Sequence, residues 1–600
     1  MKRASWSVLG VSAVLLSACA ANEETVVVRD AGARVDLGAR VDLGQALDRP
    51  VAPSDAGPQP SADLGQSLDR PAAPADLGEP VDRPVAPRDT GNDTGPSGMG
   101  LLDVYQGERD AGDPAPRDAS QTLNGAPSDS AQRFQGTESP SAAPSLVYPE
   151  ADTMLPPNLT GLEVHFRPAA GQNLFEVSFS GDRGTLRLYS PCVAVGNGCA
   201  VSLNEAAYSE FARVAYPSGN VTISVRGVAQ SGGSLGRSAT RTVQVTNTDI
   251  RGGIYYWNAS AASILRFEWG RAGARPENYL QGDPFNCVGC HTLSRDGTRA
   301  AVGRFIPGPA VTRIYDVSSR NTTSGDMGAN FSTFSPDNRY LVISNGSAMG
   351  LRDGTSGAQV PGLQEGTPGS MPDWSRDGRT LVIARTRGVA LFGQPGHNPP
   401  GDLFTLTWNG TAFGAPQPFV MSAGGMQNHF YPNIAPDDQW VVFNRAEGGS
   451  YHNLSAQLWA ARLDRSLAPV RLRRADGPDN SGNSWPKFAP FVQSFRGEPL
   501  LWVTFSSRRD YGLRLVQQSR EPEMRTSQLW MAAIRPGVRN GDPSASAFWL
   551  PFQDIRSGNH IAQWSEQVQR TSCRVDGDCR AGEQCVLVGL SAQRMGCVPR

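Results

Sequence analysis

Lysine is almost missing from this 600-residue chain: it stands at Lys2 and Lys487 only, so nearly all of the 55 basic residues are arginine. Against 57 acidic residues they leave a net charge of −2. No basic excess is available to cluster on one face, which argues against a nucleic-acid partner. The arginine bias reads as a GC-rich genome, not as a function. Long apolar runs are missing after residue 18, which excludes a multi-pass membrane protein. Hydrophobic residues make up 39% of the chain, below the usual share of roughly 45–50%, whereas 66 Gly and 46 Pro exceed the average. Part of the chain is therefore expected to stay unfolded and the rest to be rich in turns, over roughly three to five domains. Histidine is scarce as well, with six in all. No paired carboxylates, clustered metal ligands or Ser/His/Asp arrangement emerges, so hydrolysis is disfavoured.

What is present begins with an export signal. Lys2 and Arg3 form a basic start, Val8 to Leu16 a short apolar core, and Leu16-Ser17-Ala18-Cys19 closes the segment. The core is too short to span a bilayer. Its last four residues resemble a bacterial lipobox, which implies that residues 1–18 are removed and that Cys19 carries the lipid. Several acyl chains on one Cys anchor stably. Ala20 and Ala21 follow with no Asp after the Cys, so the resemblance implies sorting to the outer membrane. The expected location is the bacterial cell envelope.

Residues 19–145 read as a tether. Asp-Arg-Pro-x-Ala-Pro recurs at Asp48–Pro53, Asp69–Pro74 and Asp82–Pro87, and aromatics are nearly absent. Such a segment cannot bury enough apolar surface to offset its ordering entropy. It would reach roughly 60–100 Å from the membrane.

Residues 146–250 change character. Leu162 to Phe166, Leu174 to Phe179, Thr185 to Tyr189, Val221 to Val225 and Thr242 to Val245 alternate at period two, with a short helix expected near Glu205–Val214. About a hundred residues of such strands predict an immunoglobulin-like sandwich. Cys192 and Cys199 would close a short loop as a disulfide. Gly232-Gly233-Ser234-Leu235-Gly236 matches the G-x-S-x-G hydrolase pattern, but that motif needs a strand-to-helix elbow. Here it falls in a glycine-rich hairpin and reads as a turn.

From residue 251 a diverged repeat runs to 566. Ser294-Arg295-Asp296-Gly297, Ser335-Pro336-Asp337-Asn338, Ser375-Arg376-Asp377-Gly378 and Ala435-Pro436-Asp437-Asp438 each precede an apolar strand, with a weaker member at Phe488-Ala489-Pro490. A period of 40–60 residues with several strands per unit is how propeller blades read. The turns resemble the repeat of TolB-like (WD40-like, PD40) β-propellers over roughly residues 290–500. Five units are visible and a sixth is expected, with seven blades left open. The resemblance says little of activity, because propellers host both binding and catalysis. The sixth blade is expected from Ile254–Trp257 and Leu265–Trp269 pairing with Phe548-Trp549-Leu550. The fold class is thus all-β, sandwich then propeller.

Residues 570–600 hold Cys573, Cys579, Cys585 and Cys597. Thirty residues build no core, so two disulfides are expected; the spacing lacks the C-x2-C pairs of a zinc site.

One motif carries chemistry. Cys287-Val288-Gly289-Cys290-His291 is a C-x-x-C-H, in which two thiols add to the haem vinyl groups and His291 takes the iron. Covalent haem c is one reading; a disulfide or redox dithiol is another, and a zinc site or an inert relic a third. A distal iron ligand would have to come from another blade, with Met426, His429 and His560 as candidates. Arg508-Arg509-Asp510 would bind haem propionates or, more simply, form an inter-blade network. The first functional expectation is a lipid-anchored propeller with one covalent haem, in electron transfer or haem-based sensing with a redox partner. The second is a non-catalytic scaffold that binds an envelope protein or a glycan, with Cys287–Cys290 as a disulfide.

Overall fold

The computed structural model describes residues 105–106, 114–271, 273–282, 287–305, 311–386, 401–423, 427–450, 453–514, 525–588 and 595–599. The export signal, Cys19 and Met426 lie outside the described residues, and of Cys287 only the backbone is described. Among the described residues no helix is long and apolar enough to cross a membrane.

The first folded part is the expected immunoglobulin-like sandwich. One sheet is built around Gly184–Pro191, Leu174–Gly181, Asn220–Val228 and Arg241–Val245; the other joins Ser145–Tyr148, Leu162–Arg167, Gly198–Leu203 and Val193–Val195. Period-two alternation turns Val164, Phe166, Phe175, Val177 and Phe179 into a common core. Burying each is worth about 1.5–3 kcal/mol. The helix Glu205–Ala215 starts where Asn204 accepts from the Ala207 N–H at 2.9 Å, and buries Tyr208 and Phe211. A disulfide joins Cys192 and Cys199.

The tether is shorter than the sequence suggests. Ala119–Thr122 adds a parallel strand to Gly184–Pro191, flanked by Arg117 on Glu210 and by Arg187 on Asp118 at 2.9 Å. Ala-Ser-Gln-Thr has no apolar alternation to betray it, because its affinity for the sheet lies in backbone hydrogen bonds. Tyr105–Gln106 also pairs, in parallel, with Val492 and Gln493.

The described residues then build six blades. Blade 2 is Cys287–Leu293, Arg299–Phe305 and Val311–Asp316. Blades 3 to 6 open on the innermost strands Phe331–Phe334, Ser370–Trp374, Gln427–Ile434 and Ser484–Phe488. Blade 1 joins Gly253–Asn258, Ser263–Glu268 and Glu277–Leu280 to the late strand Asn559–Ser565, which becomes its innermost member. Each innermost strand packs on the next, all the way round the ring. The expected partner of blade 1 was the wrong segment: Phe548–Trp549 pairs with Gln528–Ile534 in blade 6. Asn559–Ser565 is buried throughout, so it lacks the alternation that marks a half-exposed strand.

The recurring turn has a physical cause. Ser294, Ser335 and Ser375 each donate Oγ–H to the Asp two residues on, at 2.6–2.7 Å. Each Oγ also accepts from the N–H five residues on, at 2.8–2.9 Å. The fourth turn residue has positive φ, supplied by Gly297, Asn338, Gly378 and Asp438.

The tail clamps the closure. Cys573–Cys585 and Cys579–Cys597 are disulfides around the hairpin of Glu583–Leu587 and Met595–Pro599. At its root the buried Arg570 bonds Glu268 at 2.6 Å and Glu277 at 2.7 Å, on blade 1, while Arg320 of blade 2 pairs with Glu583 at 3.1 Å. The sandwich is held as firmly. Glu163 accepts from Arg514 at 2.7 and 2.9 Å and from His165 at 2.8 Å, and the Leu513 N–H donates to His165 Nδ1 at 3.1 Å.

Candidate functional site: three rings around the propeller axis

The turn serine or alanine gives every blade a common register: Ser565, Ser294, Ser335, Ser375, Ala435 and Ala489 in blades 1 to 6. Counting back from it assembles the axis.

Four residues earlier stand Ile561, Cys290, Phe331, Met371, Tyr431 and Trp485. All six are buried in one apolar cluster. Tyr431 stacks on Trp485 with centroids 3.8 Å apart, and Phe331 lies 6.0 Å from Trp485. Five of these positions sit at β-bulges, where one extra residue turns a side chain toward the axis. Ile561, Met371, Tyr431 and Trp485 have positive φ there. Pro372, Pro432 and Pro486 follow three of them, contributing no N–H that would need a partner inside the bulge.

Two residues before the turn stand Gln563, Thr292, Thr333, Asp373, Asn433 and Lys487, every one polar. They line the narrow middle of the channel. Lys487, the one lysine beyond Lys2, lies 3.3 Å from the Asp373 carboxylate. Asp373 also accepts from the Ile434 N–H at 2.8 Å, and Asn433 from the Phe488 N–H at 2.6 Å. Among the described residues the side chains of Thr292, Thr333 and Gln563 have no hydrogen-bond partner in the protein. The space between these two rings amounts to about 430 Å3, counting its open mouth.

One residue after the turn serine or alanine stand Glu566, Arg295, Pro336, Arg376, Pro436 and Pro490. Arg376 of blade 4 bonds Glu566 of blade 1 at 2.6 Å. Blades 1 and 4 stand opposite in a ring of six, so this pair crosses the axis. Arg295 donates to the Trp374 carbonyl at 2.8 Å, and Asp438 accepts from the N–H groups of Arg376 and Asp377 at 2.6 and 2.9 Å. Burial pushes the carboxyls of Glu566 and Asp438 above their ordinary values.

The residues singled out from the sequence fall into this frame. Cys290 is a free buried thiol, which burial pushes up to about 12. The Cys287–Cys290 disulfide of the scaffold reading is therefore not formed. His291 Nε2 donates to the Tyr255 carbonyl at 3.0 Å, and its Nδ1 is buried without a partner. Burial and the nearby Lys487 ammonium hold it down at about 4, so it is neutral at pH 7. His429 packs edge-on against Phe443 with centroids 5.5 Å apart and is likewise held at about 4 by burial and Arg445. His560 lies 3.3 Å from Ser506 Oγ, held at about 3 by burial and Arg508. These histidines lie on the innermost strands of blades 2, 5 and 1. Among the described residues the only group of three potential metal ligands is Cys573, Cys579 and Cys597, whose sulfurs are in disulfides. The donor set gives no support to a haem: the thiol is packed in the apolar ring, the imidazole Nε2 is taken by a carbonyl, and the described distal candidates, His429 and His560, are packed against Phe443 and Ser506. Arg509 bonds the Ala475 and Asp476 carbonyls at 2.9 and 2.7 Å and Asn483 at 2.9 Å, an inter-blade strut.

No family model matches the chain, and no curated protein does. Among solved structures it is similar to TolB from Acinetobacter baumannii, at 11% identity over 57% of this chain and 79% of that one, with a TM-score of 0.36. A putative TolB from Agrobacterium tumefaciens is similar at 16% identity over 52% of this chain and 98% of the other, TM-score 0.29.

The sequence missed the three rings because their members differ in kind from blade to blade. The signal that finds them is the fixed offset from the turn serine.

Proposed function

We propose that this chain is an exported, lipid-anchored, non-catalytic binding protein of the cell envelope, which seats a polar group of a partner protein or glycan in the propeller axis. The observation that carries this is the middle ring, six polar residues of which three keep unpaired hydrogen-bonding groups inside a preformed concave space. Pockets that fix a ligand combine such groups with apolar walls, and the ring of Phe331, Met371, Tyr431 and Trp485 supplies those walls. The buried histidines are neutral and packed, which suits recognition better than proton transfer. The Pro-rich tether suits a folded body working away from its membrane.

A photo-crosslinking residue placed at Asn330, on the pocket wall, is expected to trap a partner in whole envelopes. The same residue at Arg465, an exposed outer position, should trap none, and Lys487→Met should abolish the adduct at 330. Equal adducts at both positions, or none at either, would refute an axial site. Covalent haem is tested on the same material: a haem-stained band from cells with haem-ligation machinery, lost in Cys290→Ala, would overturn the scaffold reading.

A further inference from the structure

A crevice between the sandwich and blade 6 plays no part in the axial site. Asp152, Thr242 and Gln244 form its sandwich wall; Arg474, Arg535, Val538, Asp542 and Ser544 form the propeller wall. Its empty volume is about 680 Å3, counting the part open to solvent. Clefts at domain junctions are favoured places for ligands.

Several arginines of this chain pair with a carboxylate, among them Arg226 with Glu176, Arg266 with Glu277, Arg376 with Glu566 and Arg570 with Glu268, whereas others such as Arg241, Arg299 and Arg509 bond carbonyls. Among the described residues, Arg474, Arg496 and Arg535 have no carboxylate within ion-pair distance. Their bonds go to neutral acceptors and form a relay. Arg535 donates to Gln244 Oε1, Gln244 Nε2 donates to Asn220 Oδ1 at 3.2 Å, and Arg496 donates to the same Oδ1 at 2.8 Å and to the Ser218 carbonyl. The two acids of the crevice form no ion pair with them. Asp542 is spent on the Ser544 N–H and hydroxyl and on the Arg474 N–H, at 2.6–2.9 Å, and Asp152 stays outside ion-pair distance. Partial burial depresses the Arg535 guanidinium, Arg496 and Arg474 add to this and Asp152 works against it, so the three arginine charges feel one another.

Guanidinium groups that converge on a cleft and are in ion-pair contact with no carboxylate are stabilised by a bound anion. The planar guanidinium fork suits a tetrahedral oxyanion, and two forks suit a dianion. We infer that the crevice lined by Arg474 and Arg535, with Arg496 at its rim, binds a phosphate monoester group. The group would come from a lipid headgroup or from a soluble phosphorylated compound. Tyr105–Gln106 pairs with Val492–Gln493, close in sequence to Arg496, so the chain enters the folded body at the blade that carries the rim.

The test uses residues 20–600, which keep every described residue and carry no lipid. Flotation with phosphatidic acid vesicles is compared with phosphatidylcholine vesicles, and titration with glucose 6-phosphate is followed by calorimetry. Arg474 and Arg535 are exposed, so Arg474→Gln and Arg535→Gln should fold with an unchanged melting temperature. Each is expected to weaken binding about tenfold, as for hydrogen bonds to charged groups. Binding to phosphatidic acid alone would assign the lipid source, and binding to glucose 6-phosphate alone the soluble source; both support the site. No binding to either probe, or binding that the double variant leaves unchanged, overturns it. Loss of crosslinking at Asn330 would leave this crevice untouched, so the two readings fail separately.

Discussion

His291→Gln separates a packed strand histidine from a functional ligand. In the fold His291 is held at about 4, against an ordinary 6.5. Its folded value is depressed, so the unfolded chain binds a proton that the native chain refuses between those values. Stability is then full above pH 6.5 and falls as pH drops toward 4. Over the whole window this histidine removes about 3 kcal/mol, and about 2 kcal/mol of that is gone by pH 5. His429, held at about 4, and His560, at about 3, act the same way. Together the three remove on the order of 6 kcal/mol by pH 5, a large part of the 5–15 kcal/mol typical of a folded domain. The raised carboxyls of Asp438, Asp476 and Glu566 work in the opposite sense, stabilising the fold as pH falls. A single variant isolates the histidine term. Glutamine can keep the bond to the Tyr255 carbonyl without titrating, so His291→Gln should lie within about 1 kcal/mol of wild type at pH 7. By pH 5 it should have lost about 2 kcal/mol less than wild type has. Urea unfolding at half-unit steps from pH 7 to 4.5 measures both curves. Parallel curves would show that His291 is not the neutral, buried group described here.

Glu163→Gln probes the clamp between sandwich and propeller. Burial alone would raise the Glu163 carboxyl, but the bonds from His165 and Arg514 override it and hold it at about 2. Its contribution is present above pH 4.5 and lost as pH falls toward 2, so the variant should cost about 3 kcal/mol at pH 7 and about 1 kcal/mol at pH 3 by calorimetry. An equal cost at both would discount the clamp. Arg376→Met leaves the largely buried Glu566 without its cation and should cost about 3 kcal/mol, most of it recovered in Arg376→Met/Glu566→Gln. Additive losses in that cycle would mean that the pair across the axis is not coupled. Cys290→Val should stay within about 1.5 kcal/mol of wild type, as a swap of similar volume inside an apolar ring, whereas Cys290→Asp should abolish folding; tolerance of Asp on a urea gradient would remove Cys290 from the ring.

The propeller was legible because its turns repeat a chemical device. A serine that bonds the Asp two residues on and the N–H five residues on leaves its mark wherever a blade turns, and Ser294, Ser335 and Ser375 carry it unchanged. The helix at Glu205–Ala215 was expected near Glu205–Val214, and it forms where Asn204 caps its start and Tyr208 and Phe211 share its buried face. Two things were not. Asn559–Ser565 closes the ring with Asn, His, Gln and Ser among its residues, and what holds it is pairing with Gly253–Asn258, about 300 residues earlier. Ala119–Thr122 is held by backbone bonds that any sequence can make. In both cases the determinant is a partner far along the chain, which no local pattern records.

The same register explains why a haem-like motif arises here without haem geometry. Each innermost strand needs an apolar residue four before its turn, and blade 2 meets the need with Cys290, as the others do with Phe331, Met371, Tyr431, Trp485 and Ile561. A buried thiol is a small apolar group with an unreactive proton, and it fills such a position without penalty. The next residue faces the seam with blade 1, where the Tyr255 carbonyl offers an acceptor, and His291 supplies the donor. Two adjacent demands of one strand, an apolar group for the ring and a donor for the seam, write Cys-His. A third demand follows two residues after Cys290, where Thr292 joins Gln563, Thr333, Asp373, Asn433 and Lys487 in the polar ring. On the proposed reading recognition belongs to the ring whose groups remain unpaired, and the residues flanking it in the motif serve the strand that carries it.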